Sequence, residues 1–149
     1  MSTIADLNPD VALAALLDNA VIVTTSKTQS HSVRAYGDGE TPNTISDDEF
    51  ISIGWNGNVQ SVTFPVNIYR GNLILSIYVK TQSDGRVKKH ITAQIVERCV
   101  RLIDGKAKEG YCFTLNPSNV ITPTTVNLTT GYSTKILNVE WHTTSTQTT

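Results

Sequence analysis

Two stretches joined by a short polar turn constrain this chain more than anything else in it. Residues 71–80, GNLILSIYVK, carry apolar side chains at every second position, and residues 84–105 carry them at helical spacing. Alternation puts Leu73, Leu75, Ile77 and Val79 on one face of a strand, with Ser76, Tyr78 and Lys80 opposite. Ile91, Ile95, Cys99, Leu102 and Ile103 make one stripe of a helix that must pack back on a sheet. Asp84 stands where a helix cap belongs, and Gly105 where a left-handed residue ends a helix. The turn between strand and helix lacks the glycine spacing of a phosphate loop, and the helix carries no paired metal-binding or acid–base residues.

Upstream, Asn8 followed by Pro9 marks a helix start, and Val11, Leu13, Ala14, Leu16 and Leu17 supply its apolar stripe. Residues 24–48 are rich in Ser, Thr, Gly and charge, with turn signals at 37–39 and 41–43, and read as a polar connection far longer than the usual 4–6 or so residues. A strand is predicted over 50–55, a hairpin turn at Asn56 and Gly57, and a return strand over 59–69 in which Pro65 requires an edge or a bulge. Val62, Phe64, Val66 and Ile68 share one face of that return strand. A short strand over 111–115, a Thr-, Asn- and Pro-rich loop over 117–130 and a last strand over 132–143, with Leu137, Val139 and Trp141 on one face, complete the pattern. The prediction is a single domain over 1–149 of class α+β. It consists of a mainly antiparallel sheet packed against two amphipathic helices, about 9–20 and 85–104, with long polar loops and a polar tail at 143–149.

Chemistry is absent from the sequence pattern. His31, His90 and His142 are far apart and without carboxylate companions at ligand spacing. Asp47, Asp48 and Glu49 lack the alternation and the glycine of a calcium loop. No serine sits in a Gly-x-Ser-x-Gly elbow. Cys99 and Cys112 match no zinc or redox spacing and read as reduced core thiols, with a helix-to-strand disulfide as the alternative. No catalytic, cofactor-binding or metal-binding residue is therefore expected, and no enzymatic activity. Asn127 opens a glycosylation triplet that has no meaning without secretion. A net charge of -1 argues against general nucleic-acid binding, which is driven by a positive excess. No apolar run nears the roughly 20 residues of a membrane span, and residues 1–10 lack the basic and apolar segments of a signal peptide. The expectation is a protein made in the cytoplasm without a membrane partner.

Charge is nevertheless unevenly spread. Arg86, Lys88, Lys89, Arg98, Arg101, Lys106 and Lys108 make the second helix and its exit basic, either as a solvated face or as an interface. An acidic segment of an adjacent copy, ending in Asp47, Asp48 and Glu49, would complement it. Arg86, Lys88, Lys89, Arg98 and Arg101 with Asp47, Asp48 and Glu49 are thus candidate subunit-interface residues. Thr24, His31, Tyr36 and Asp38 in the first polar loop, and Pro117, Asn119, Pro123 and Thr125 in the second, are candidate partner-docking positions, because long loops the fold does not need carry function. Trp55 reads as either a core residue or an exposed anchor.

Residues 8–20, the strand and helix of 71–105, and the closing segment GYSTKILNVEW of 131–141 follow one another in an order that resembles the tail terminator, or tail completion, proteins of tailed bacteriophages. The stretch 24–48 is longer than that family's pattern. The resemblance implies a small α+β domain that forms a ring, usually a hexamer, at the head-proximal end of the tail tube. It implies a structural virion protein that ends tube growth and joins tail to head connector. Its partners would be copies of itself, the tail tube protein and a connector or stopper protein, with the genome passing through the lumen unbound and no cofactor required. Two other readings stand beside it. One is another neck, stopper or baseplate component, which should be more wholly β; the other is a non-viral β-rich carbohydrate- or protein-binding module, which should expose aromatics in a concave site.

Overall fold

The computed structural model describes residues 7–62, 68–115, 125–127 and 130–143. Its elements, in chain order, are α1 (Pro9–Leu17), β1 (Val21–Ser26), β2 (Gln29–Tyr36), β3 (Glu49–Val62), β4 (Ile68–Lys80), α2 (Lys89–Ile103), β5 (Lys106–Lys108), β6 (Tyr111–Leu115), β7 (Thr125–Asn127) and β8 (Tyr132–Thr143). The strands form one eight-stranded sheet ordered β1-β2-β3-β4-β8-β6-β5, with β7 added beside β8. It curls into a half-barrel.

β4 holds the middle because its alternation suits a strand flanked on both sides. Leu73, Leu75 and Ile77 are fully buried, and the strand pairs antiparallel with β3 and with β8. The same face continues through Ile51 and Ile53 of β3 and Leu137, Val139 and Trp141 of β8. Val21 and Val23 of β1, Val33 of β2 and Phe113 of β6 join them with α1 and the Ile91, Ile95, Cys99 and Ile103 stripe of α2 in one hydrophobic cluster. This is the inner face. α2 packs there against β1, β4, β5 and β6.

The expected class, α+β with a mainly antiparallel sheet under two amphipathic helices, is corrected. The fold is mostly β, the sheet is mixed because β2 runs parallel to β3, and both helices are shorter than predicted. Much of the change comes from residues 24–48. Instead of a polar loop, they contain the end of β1 and all of β2, whose Val33 and Ala35 are buried on the inner face while Ser32 and Arg34 alternate with them on the outer face. Parallel pairing requires a crossover of about a dozen residues, and residues 37–48 supply it. That crossover lies over the outer face of β3, where the Thr41 and Ser52 hydroxyls meet at 3.0 Å.

Helix boundaries moved for local reasons. α1 stops at Leu17, and Asp18 then takes the Ala35 N–H at 3.1 Å and the Arg34 Nε at 2.8 Å while Asn19 turns left-handed at φ 61°. With Pro9, Asp10, Ala12, Leu13, Ala14 and Leu17 all buried, α1 is enclosed rather than amphipathic. α2 starts at Lys89 because Asp84 caps its own turn, accepting from the Arg86 N–H at 3.1 Å. Gly105 ends that segment as predicted, at φ 72°.

Asn56 and Gly57 do not form the predicted hairpin. Asn56 pairs with Asn72 and Gln60 with Arg70, so three residues of β3 stand opposite the single Gly71 of β4, and the strand continues through a bulge to Val62. Gly57 sits at φ 78°. The positive φ that makes this dipeptide a turn signal serves here to open a bulge. Trp55, just before it, is half-buried and edge-on to Trp141 at 5.9 Å, a core-flanking residue rather than an anchor. Phe64, Pro65, Val66 and the tail beyond Thr143 lie outside the described residues. Cys99 is buried, Cys112 is half-buried, and both are free.

Candidate functional site

The face of the sheet opposite the core is not uniformly polar. Phe50 of β3 and Tyr78 of β4 are directly paired and stack with ring centroids 4.6 Å apart and planes 9° off parallel. Tyr132 of β8 stands edge-on to both, at 5.4 Å from Phe50 and 6.5 Å from Tyr78. Phe50 is buried yet belongs to no part of the main core cluster, because it lies on the other side of the sheet. The crossover supplies one wall of a cleft of about 500 Å³, with Pro42 and Ile45 facing Phe50, Tyr78 and Tyr132.

Acidic groups stand at the edge of this cleft. Tyr132 donates its hydroxyl to the Asp47 carbonyl at 2.7 Å, and the Lys80 N–H donates to the Asp48 carbonyl at 2.7 Å. Their backbones are pinned while both carboxylates stay exposed, and no ion pair among the described residues engages either one. The field is felt by Tyr132, whose ionisation is pushed up by burial first, then by Asp48, Asp47 and Glu49. Glu49 itself has another fate. As the first residue of β3 it is buried, with Oε2 2.6 Å from His31 Nε2. Of the three adjacent acids, Asp47 and Asp48 are exposed without an ion pair among the described residues, Asp47 acting on Arg34 through its charge alone, and Glu49 is committed within the subunit.

The basic residues divide in the same way. Arg86 is held by Asp84 at 2.6 Å and Arg101 by Glu97 at 2.7 Å, both in exposed pairs of small energetic weight. Lys88 is half-buried at the start of α2, where its carbonyl accepts from the Thr92 N–H and hydroxyl. Lys89 and Arg98 are exposed, and Arg98 has no ion pair among the described residues.

Of the docking-loop residues, Thr24 lies in β1 and is held by Gln94, and His31 lies in β2 against Glu49. Tyr36 ends β2 beneath the Arg34 guanidinium, 5.7 Å from the ring centre. The Asp38 N–H donates to the buried Asp10 carboxylate at 2.9 Å. Thr125 begins the exposed β7, whereas Pro117, Asn119 and Pro123 fall outside the described residues. His31, His90 and His142 do not converge, and among the described residues no three His, Cys, Asp or Glu side chains are placed to share a metal.

The aromatic cleft was missed at the level of sequence. A signal was present, since alternation alone puts Tyr78 opposite Leu75 and Ile77, on the face expected to be wet. Its partners come from β3, β8 and the crossover, which no local pattern brings together. No protein-family model matches this sequence, and no curated protein matches it as a relative.

Proposed function

We propose that this chain is a structural virion protein that assembles as a ring at the head-proximal end of a phage tail tube, where it ends tube growth and joins the tail to the head connector. The order of its strand, helix and closing strand is what suggests the family. One observation carries the self-assembly: the cationic surface of α2 lies on the inner side of the sheet, and the acid-edged cleft opens on the outer side. Complementary patches separated by their own sheet cannot meet within one molecule. Between neighbours they make a heterologous contact, which closes into a ring when its rotation divides a full turn. A net charge of -1 suits a lumen through which DNA passes without being held.

A second reading, a β-rich carbohydrate-binding module, draws on the same cleft, whose rim includes Asn43 and Thr130 beside Tyr78 and Tyr132. Native mass spectrometry and negative-stain microscopy of the full chain, alone and with purified tail tubes, separate the two. Closed oligomers of one stoichiometry, or tubes capped at one end, are expected. A protein that stays monomeric in both conditions, and whose tyrosine fluorescence responds to oligosaccharides, overturns the ring reading in favour of the second.

A further inference from the structure

Resting on the ring reading, we propose that the cleft of Phe50, Tyr78 and Tyr132 receives the Arg98 guanidinium of a second copy of this chain, with Asp47 and Asp48 as the counter-charges.

Chemistry selects both halves of this contact. A cleft walled by stacked aromatic rings and edged by carboxylates attracts a flat cation, because the ring faces and the acids carry negative potential toward the same space. The Tyr132 hydroxyl, pushed up by burial first and then by Asp48, Asp47 and Glu49, lies in that same potential. Within the subunit, Arg34 feels the charge of Asp47, but no ion pair joins the two. Arg34 is held by Asp18 at 2.8 Å, and Lys80, beside Tyr132 in the sheet register, forms no ion pair among the described residues.

On the donor side, the arginines of α2 differ in availability. Arg101 already has Glu97, while Arg98 is exposed, one turn along from Gln94, and without an ion pair among the described residues. The molecule uses the same pairing internally, where Arg34 lies over the Tyr36 ring at 5.7 Å. Because α2 and the cleft lie on opposite faces of the sheet, an Arg98 that reaches such a cleft reaches a neighbour's.

Mixing two variants tests the pairing. Arg98→Glu alone would set Glu against Asp48 at every junction, and Asp48→Arg alone would set Arg against Arg98. Each should lower the association constant at least tenfold, while thermal unfolding of the monomers stays near wild type. An equimolar mixture should reassemble as an alternating ring with an even number of subunits, since every junction in it is complementary. Arg98→Lys, which keeps the charge and loses the flat surface, should fall between wild type and Arg98→Glu. Normal assembly of Arg98→Glu overturns this contact and leaves the ring reading standing, as does a well-folded pair of variants that fails to reassemble on mixing. A wild-type protein that does not associate, with or without tail tubes, overturns the ring reading itself.

Discussion

The side-chain amide of Gln94 in α2 makes two hydrogen bonds to the backbone of Thr24 in β1, accepting from its N–H at 2.9 Å and donating to its carbonyl at 3.0 Å. One glutamine thereby does for the outermost strand what a neighbouring strand would do. Edge strands left open are templates for unwanted pairing, and this one is covered by a helix side chain.

Gln94→Ala should therefore lower stability by about 1–2 kcal/mol, the sum of two ordinary net hydrogen bonds at a partly exposed site. Hydrogen exchange at the Thr24 amide should accelerate, and β1 should become prone to association at high concentration. Urea denaturation and amide exchange check this, and an unchanged Thr24 amide would count against the clamp.

Two glycines should fail for different reasons. At Gly57 an added Cβ would touch nothing within 4 Å, so Gly57→Ala is opposed only by the left-handed backbone at φ 78°, about 1–2 kcal/mol. At Gly71 the added Cβ would stand 3.0 Å from Cζ2 and Nε1 of the buried Trp141. Gly71→Ala must displace that indole, at about 1–3 kcal/mol for overpacking. Near-ultraviolet circular dichroism distinguishes them: the tryptophan signal should change for Gly71→Ala and stay constant for Gly57→Ala.

Burial pushes the Cys99 thiol up to about 12 from an ordinary 9.0. At pH 8 a thiol reagent should label Cys112 in the folded protein and reach Cys99 only after unfolding. The linkage sign follows from the proton count. Between pH 9 and 12 the unfolded chain has released this proton while the folded chain keeps it, so the stabilisation is complete below pH 9 and lost as pH rises toward 12. Tyr132, also raised, adds to the loss above pH 10. Urea midpoints measured from pH 8 to 11 should fall in the wild type and fall less steeply in Cys99→Ala.

Where one periodicity met one burial demand, the residues themselves were sufficient. Leu73, Leu75, Ile77 and Val79 could face the core only as a strand, and Ile91, Ile95, Cys99 and Ile103 only as a helix, because any other conformation scatters those side chains over both faces. Gly105 ended its helix for an equally local reason, the absence of a Cβ at positive φ. Tertiary structure decided everything that local sequence leaves degenerate. Val33 and Ala35 are too few among Ser, His and Arg to announce a strand, and β2 exists because β1 and β3 offer its backbone partners. Gly57 permits a turn or a bulge equally well, and the choice fell to the pairing of Gln60 with Arg70 beyond it. Asp47, Asp48 and Glu49 are alike in sequence, yet strand direction buries only Glu49, against a histidine eighteen residues away. Phe50, Tyr78 and Tyr132 become one site only when β3, β4 and β8 lie side by side, since contacts between distant residues depend on which strands pair and in what register.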